Sequence, residues 1–402
     1  MELLVVPPLK IVQSGSARVT LTRKFVDGMA EYCRLWPGQV ALLSEPSTTE
    51  DDNLDHVTVD RLELPFRVSL HSFSDERFVR ECFCHASVVM ATLDSKQADF
   101  FRIGEQLGVP VVYVAEQSLQ TRQQNARGDS RNPLRRWRRY LREPRIEAKY
   151  CEAVRNSAGV QCNGTPTYEA YRSISPRPML YFDSRVTSDM IVAKRELDIR
   201  TREAVAGHPL RLAFSGRLIG IKGVDHLPRI ANALRGLGVQ FTMDIFGSGG
   251  LEPRIREEVA RLKLDEVLRL RGTLAFRDEL VPEVTRNVDL FVCCHRQGDP
   301  SCTYLETMSC GVPIVGYDNE AFLGLVKYSQ VGWVVTAHAP EAMAMKIAEL
   351  DRSRKLLATS AYRACEFAKQ HDFQATMRRR VEHMLACAYG AKTCKANPRS
   401  EN

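Results

Sequence analysis

The chain has 402 residues, 44% hydrophobic and 26% charged, with a net charge of +7, a soluble globular make-up too long for one ordinary core. No run approaches the roughly 20 apolar residues a membrane span needs, and Met1-Glu-Leu-Leu-Val-Val-Pro-Pro is not a basic start followed by a long apolar stretch, so a cytoplasmic protein, neither secreted nor membrane-spanning, is expected. The twelve cysteines form no C-x-x-C pair and read as reduced and buried; Cys82/Cys84 and Cys293/Cys294 fall on strand-like runs, and Cys293 and Cys294 would point to opposite faces, which argues against a metal shared with His295.

In chain order, Leu3 to Val6 reads as a strand, Ala17 to Leu35 as a helix, and Val40 to Leu43 and Ser87 to Leu93 as strands. Asp99 to Leu107 reads as a helix and Val109 to Val114 as a strand. This alternation implies a parallel sheet with helices on both faces. Next comes a basic insertion: between Arg135 and Arg145 six arginines stand against Glu143 alone. Asn132 can cap a helix there, Pro133 suits its first turn, and Leu134, Trp137, Tyr140 and Leu141 fall on one side. A helix over 133–145 of this kind fits an anionic membrane surface, or is a solvated helix with a partly buried Trp137. Nucleic acid is disfavoured as a partner, because no base-stacking motif is interleaved with the arginines.

Gly159 to Cys162 is a further expected strand and Thr165 to Ser173 a helix, after which Ser175-Pro-Arg-Pro178 breaks the pattern. A domain boundary is placed in the polar stretch 183–200, near a helical segment Asp189 to Ala204, so that 1–185 and 186–372 form two domains. Residues 373–402 are expected as a helix crossing back to the first domain, with a frayed tail from Asn397.

The second half alternates more clearly. Strands are expected at Leu210 to Ser215, Gln240 to Phe246, Val267 to Arg271, Leu290 to Cys294 and Pro313 to Gly316. Helices are expected at His226 to Leu237, Leu251 to Leu262, Leu280 to Thr285, Thr303 to Ser309 and from Glu341 onward. Two turns after strands suit anionic ligands. In Ser215-Gly-Arg-Leu-Ile-Gly-Ile-Lys-Gly223, Arg217 and Lys222 offer a guanidinium fork and a point charge, while Phe246-Gly-Ser-Gly-Gly250 leads into a helix whose N–H groups attract negative groups. Either turn alone is more often a plain connection. Three such features at successive strand ends are harder to dismiss, since open α/β sheets bind ligands there.

Ser215-Gly-Arg-Leu, Lys222-Gly223, Phe246-Gly-Ser-Gly, Arg271-Gly-Thr and the run from Val288-Asp-Leu-Phe-Val to Glu306-Thr-Met-Ser-Cys-Gly-Val-Pro-Ile-Val together resemble the C-terminal half of the retaining glycosyltransferases of family 4. The resemblance covers roughly residues 210 to 335, and in the first half it is limited to the pattern of elements. It implies an α/β GT-B fold, two Rossmann-like domains facing each other across a cleft. The C-terminal domain would hold a nucleotide sugar and the N-terminal domain a glycan or lipid-linked acceptor, in cell-surface polysaccharide or glycolipid synthesis.

By the same matching Gly216, Arg217 and Lys222 would meet the donor diphosphate, Glu306 the ribose hydroxyls, and Gly247 and Gly249 would shape the nucleotide pocket. Arg271 and Gly272 would border the base, and Ser301 and Thr303 would lie beside the donor at the head of the Glu306 helix. One departure stands out: the family's first glutamate, separated from the second by seven intervening residues, falls on Gly298, and Asp299 is the nearest acid for the sugar, unless Asp299-Pro-Ser is only a turn or cap. Retention, with the leaving phosphate taking the acceptor proton, is what the resemblance implies. No D-x-D motif sits at a strand end, so neither a metal nor another cofactor is expected. In the first half Glu116, at the end of Val109 to Val114, holds the place where relatives often carry a histidine, and the loop Ser14-Gly-Ser16 is a second candidate. Rival readings are a non-catalytic nucleotide- or glycan-binding protein, favoured by Gly298, and a nucleotide-sugar epimerase of the same fold.

Overall fold

The computed structural model describes residues 1–14, 17–49, 56–128 and 133–395. Gly15 and Ser16, the Asn132 cap and the tail from Asn397 lie outside the described residues. The chain forms two compact units, Met1–Tyr181 with Gln374–Asn402, and Phe182–Phe373.

The first unit contains β1 (Glu2–Val6), β2 (Lys10–Ser14), β3 (Arg18–Thr22), β4 (Gln39–Ser47), β5 (His56–Asp60), β6 (Arg67–Leu70), β7 (Val88–Thr92), β8 (Val111–Ala115), β9 (Gly159–Asn163) and β10 (Pro178–Tyr181). They run in the order β10-β9-β8-β7-β1-β4-β2-β3-β5, with β6 paired to β4. All pairs are parallel except β2 with β3 and β3 with β5. Its helices are α1 (Arg23–Leu35), α2 (Glu76–His85), α3 (Phe100–Leu107), α4 (Leu119–Gly128), α5 (Pro133–Arg155) and α6 (Gly164–Tyr171). β1, β7, β8 and β9 are buried at every position, which is why Val88-Val-Met-Ala and Val111-Val-Tyr-Val read as unbroken apolar runs.

The expected helix from Ala17 is corrected. Arg18–Thr22 pairs antiparallel with β2, because Val19 and Leu21 alternate with β-branched Thr20 and Thr22. The helix starts only at Arg23, where the Thr22 hydroxyl accepts from the Phe25 amide at 3.3 Å. Also unforeseen are β5, β6, α2 and α4; β5 is a half-buried edge strand with little apolar signal. Cys82 and Cys84 sit on α2 and not on a strand, and Cys84 is exposed.

The second unit contains β11 (Leu210–Ser215), β12 (Phe241–Phe246), β13 (Leu268–Gly272), β14 (Leu290–Cys293), β15 (Ile314–Tyr317) and β16 (Trp333–Val335), all parallel, in the order β13-β12-β11-β14-β15-β16. The direction of winding reverses between β11 and β14. Around the sheet lie α7 (Lys194–Val205), α8 (Leu227–Gly236), α9 (Glu252–Leu262), α10 (Val281–Asn287), α11 (Cys302–Ser309), α12 (Glu320–Ser329), α13 (Pro340–Arg352) and α14 (Arg354–Gln370). Phe214 and Phe291, from the two strands at the reversal, stack at 5.9 Å in the core.

The unit begins at Phe182 and not at 186, because the Phe182 ring packs against Phe367 at 5.7 Å and His371 at 5.1 Å. The segment expected as one helix from Asp189 is a 3-10 turn, Ser188–Met190, followed by α7. Finally α15 (Phe373–Lys395) carries the chain back to the first unit, where Met384 and Cys387 are fully buried. There the Gln161 amide bonds both the carbonyl and the guanidinium of Arg380.

Candidate functional site

In a wound parallel sheet, the loops leaving the carboxyl ends of the two strands at the reversal diverge and open a crevice. In the second unit these are the loop after β11, carrying Gly216, Arg217 and Lys222, and the loop after β14, carrying Gly298 and Asp299. Three strand-end loops are stitched by backbone bonds: Gly216 N–H donates to Phe246 O (3.1 Å), Leu218 N–H to Ser248 O (2.9 Å) and Gly247 N–H to Gly272 O (2.7 Å). This proximity requires Gly247, at φ 120°, since a Cβ there would stand 2.0 Å from the Gly216 carbonyl oxygen. Gly249 lies against Leu218 in the same way.

A second seam holds the Lys222 turn. Gly220–Lys222 is a 3-10 turn ended by Gly223 at φ 66°, where a Cβ would meet the Cys294 carbonyl at 2.0 Å. Arg296, beyond β14, donates from its amide to Ile221 O (2.9 Å) and from its guanidinium to Gly220 O (3.0 Å) and Asp225 (2.9 Å). Lys222 is thus fixed by backbone to the neighbouring strand end.

Arg217, Lys222 and Asp299 come within electrostatic reach of one another. Burial pulls the Lys222 ammonium below its ordinary pKa against the opposing pull of Asp299, while the Arg217 charge lowers it further. Burial pushes the Asp299 carboxyl up, with Lys222 and then Arg217 opposing. Among the described residues neither Arg217 nor Lys222 makes an ion pair within 4 Å, unlike Arg211, Arg269 and Arg296, which each bond a carboxylate. Two cations brought together, with no carboxylate within ion-pair distance of either among the described residues and Asp299 in longer reach, suit an anionic ligand.

Glu306 lies on α11, whose N-cap Ser301 makes no side-chain capping bond and whose first turn, with half-buried Thr303, has no acid. The helix end therefore presents its positive pole. At the other end Arg200 of α7, fully buried, donates to the carbonyls of Cys310 (2.8 Å), Gly311 and Thr285 and fixes the axis of α11. Arg185 Nε donates to Glu306 Oε1 at 2.8 Å, and the same guanidinium lies 3.7 Å over the Phe276 ring. No sequence signal marked Arg185, which sits in a polar connection 121 residues from its partner. Arg271 is turned back to the sheet, 3.5 Å from Asp244 and 3.7 Å from Glu283, so Gly272 and Thr273 form the loop edge there; Thr273 bonds Ser248 at 3.2 Å.

His295 is buried between Phe214 and Tyr304, and among the described residues neither of its ring nitrogens has a hydrogen-bond partner. Burial, and then Lys222, hold it far below its ordinary pKa, so it is neutral. Among the described residues no group of three or more His, Cys, Asp or Glu side chains has a metal-binding arrangement. In the first unit, Glu116 follows β8 and is exposed; its oxygens accept from Tyr181 Oη (2.9 Å) and Asn163 Nδ2 (2.7 Å), at the ends of β10 and β9.

Residues 209–352 match the family model of glycosyl transferases group 1. WcaL of Salmonella typhimurium, assigned to colanic acid biosynthesis as a glycosyltransferase, is 25% identical over 186 residues, 44% of this chain and 45% of that protein. The GtfA subunit of a Streptococcus pneumoniae UDP-N-acetylglucosamine–peptide N-acetylglucosaminyltransferase is 23% identical over 177 residues, 41% of this chain and 34% of that protein. The chain thus matches less than half the length of these curated relatives. Among solved structures, Anabaena Alr3699/HepE in complex with UDP has a TM-score of 0.61 at 16% identity, covering 96% of this chain and 100% of that one. WaaG, a glycosyltransferase involved in lipopolysaccharide biosynthesis, has a TM-score of 0.58 at 12% identity, covering 95% and 99%.

Proposed function

We propose, with residues 209–352 belonging to the group 1 glycosyl transferases and the two parallel-sheet units having the GT-B fold, that this protein transfers a hexose from a nucleoside diphosphate donor to an acceptor hydroxyl with retention. The observation that carries this reading is the pairing of Arg217 and Lys222 at the reversal of the sheet, with no ion pair within 4 Å among the described residues and Asp299 in longer electrostatic reach. When the bond from sugar C1 to the diphosphate oxygen breaks, negative charge grows on that oxygen, and both cations and the α11 N-terminus would stabilise it. The acceptor oxygen bonds C1, its proton goes to the leaving phosphate, and the nucleoside diphosphate departs.

Asp299 is the acid assigned to the sugar hydroxyls, Glu306 to the ribose, and the loops of Gly216, Gly247, Gly249 and Gly272 to the nucleotide. Ser301 and Thr303 are assigned to the donor at the head of α11. In the first unit Glu116 is assigned to hydroxyl positioning, its oxygens already directed by Tyr181 and Asn163. UDP is the first donor nucleotide to test, because HepE, of the same fold, is described with UDP and with UDP-glucose. The acceptor class we favour is a glycan or lipid-linked glycan of cell-surface polysaccharide synthesis, as WcaL's assignment suggests, in the cytoplasm at the inner face of the plasma membrane. The chain's own cations serve here in place of a metal, so EDTA should leave turnover unchanged.

The test is release of nucleoside diphosphate from UDP- and GDP-sugars with a lipid-linked glycan extract, followed by the anomeric configuration of the product. Retained configuration and loss of turnover in Lys222→Ala support the reading. Equal turnover in that variant overturns the site. Gly298, where an acid is expected, favours a second reading: binding of UDP without release from any donor would mark a nucleotide-binding protein, and an isomerised donor without transfer an epimerase.

A further inference from the structure

The amino-terminal half of α5 presents an apolar strip to solvent. Leu134 is 72% exposed, Trp137 62% and Leu141 46%, and the spacing of three and four residues puts them on one face. Arg138, Arg142 and Arg145, all exposed, run along the side of that strip, and none makes an ion pair among the described residues. The opposite face is anchored. Glu143, buried, accepts from Arg122 Nε at 2.9 Å, Glu147 also pairs with Arg122, and further along Tyr150, Ala153 and Val154 enter the core of the first unit. The only acid between 133 and 145 is therefore turned inward, and the outward face of those three turns is apolar and cationic.

We infer that this face is a docking surface for an anionic lipid bilayer, with Trp137 entering the interface and Arg138, Arg142 and Arg145 at the level of the headgroups. A leucine–tryptophan strip beside a cationic row is the arrangement of a helix lying in the plane of a membrane interface. The indole has an apolar body and one N–H for the wet side. A symmetric second copy fits poorly, since an isologous contact sets each arginine row against itself. Nucleic acid fits poorly too, because a single ring offers no succession of stacking platforms. Among the described residues no helix is long and apolar enough to cross a membrane, so attachment by this strip is peripheral. The inference is independent of the transfer reaction: vesicle binding can fail while donor turnover stands, and the reverse.

The full chain is mixed with sedimentable vesicles, either phosphatidylcholine alone or phosphatidylcholine with phosphatidylglycerol. Binding to the anionic vesicles only, weakened by added salt, is expected, together with a blue shift of tryptophan emission. Of the three tryptophans, Trp36 is buried and Trp137 is the one placed to report, so Trp137→Ala should abolish the shift. Replacing Arg138, Arg142 and Arg145 together by Ala should lower partitioning on the order of 100-fold. These side chains are exposed, so unchanged circular dichroism and unfolding midpoint will show that the variants fold, and Trp137→Ser alone serves if the triple variant does not. Equal binding to both vesicle types, wild-type partitioning by both variants, or vesicle-free self-association that Trp137→Ala abolishes would overturn the inference.

Discussion

Glu306→Gln tests the donor site most directly. Arg185 occupies Oε1 of the carboxylate at 2.8 Å, which leaves Oε2 for the ribose hydroxyls. Loss of the charge removes a hydrogen bond to an ionised acceptor, about 1.5–3 kcal/mol, or roughly 10- to 150-fold in the Kd for UDP. The fold should barely respond. The Arg185 side chain is 45% exposed and water can take over its solvation, so the cost is at most about 1 kcal/mol and the Tm falls by no more than about 4 °C. Calorimetric titration of wild type and variant with UDP and with 2′-deoxy-UDP separates the two effects: wild type should prefer the ribonucleotide and the variant should lose that preference. Arg185 acts through Glu306, so Arg185→Ala should weaken UDP binding alone but add nothing to Glu306→Gln. Wild-type affinity in Glu306→Gln, or strict additivity of the two changes, refutes the assignment.

Lys222 gives a pH signature. Its folded-state pKa is lowered by burial, so folding stability rises as pH climbs through the window below the ordinary lysine value, while anion binding, which needs the charge, falls in that window. UDP affinity measured against pH should therefore drop earlier than an exposed lysine would allow, and Lys222→Arg should remove the drop. Gly247→Ala should lose about 2 kcal/mol or more in urea unfolding, because the φ of 120° and the 2.0 Å approach to Gly216 leave no room for a methyl. Arg200→Met should cost about 3 kcal/mol in the same assay by leaving three buried carbonyls without their donor, and a loss below about 1 kcal/mol would show that α11 is oriented otherwise.

The strands of the second unit were legible because burial on both faces leaves short apolar runs, as at Leu212–Phe214 ahead of Gly216 and at Leu290–Cys293. The Arg217, Lys222 and Gly247 loops were legible because their glycines and cations follow directly on those strands. Arg18–Thr22 was misread, since five residues of alternation abut a true helix and the longer periodicity hides the shorter. The contacts of Arg271 with Asp244 and Glu283 were not legible, because nothing local says that those acids lie beside it. The Arg185–Glu306 pair joins residues far apart in the chain, beyond any local pattern. For α5 the sequence grouped Leu134, Trp137 and Leu141 on a side, but periodicity does not tell which side faces out; the inward pull of Glu143 and Tyr150 decides it.

That the first unit is closed by α15 bears on biosynthesis. Phe182–Phe373 is contiguous and can complete its sheet as it leaves the ribosome, whereas the earlier-made 181 residues cannot bury the surface that meets Val381, Met384 and Cys387 until the helix after Gln374 has emerged. The older half of the nascent chain is therefore the later to mature, and it passes the intervening time with apolar surface open to chaperones. A product cut short before Gln374 would carry a finished second unit beside an unfinished first one, a partner for quality-control proteases.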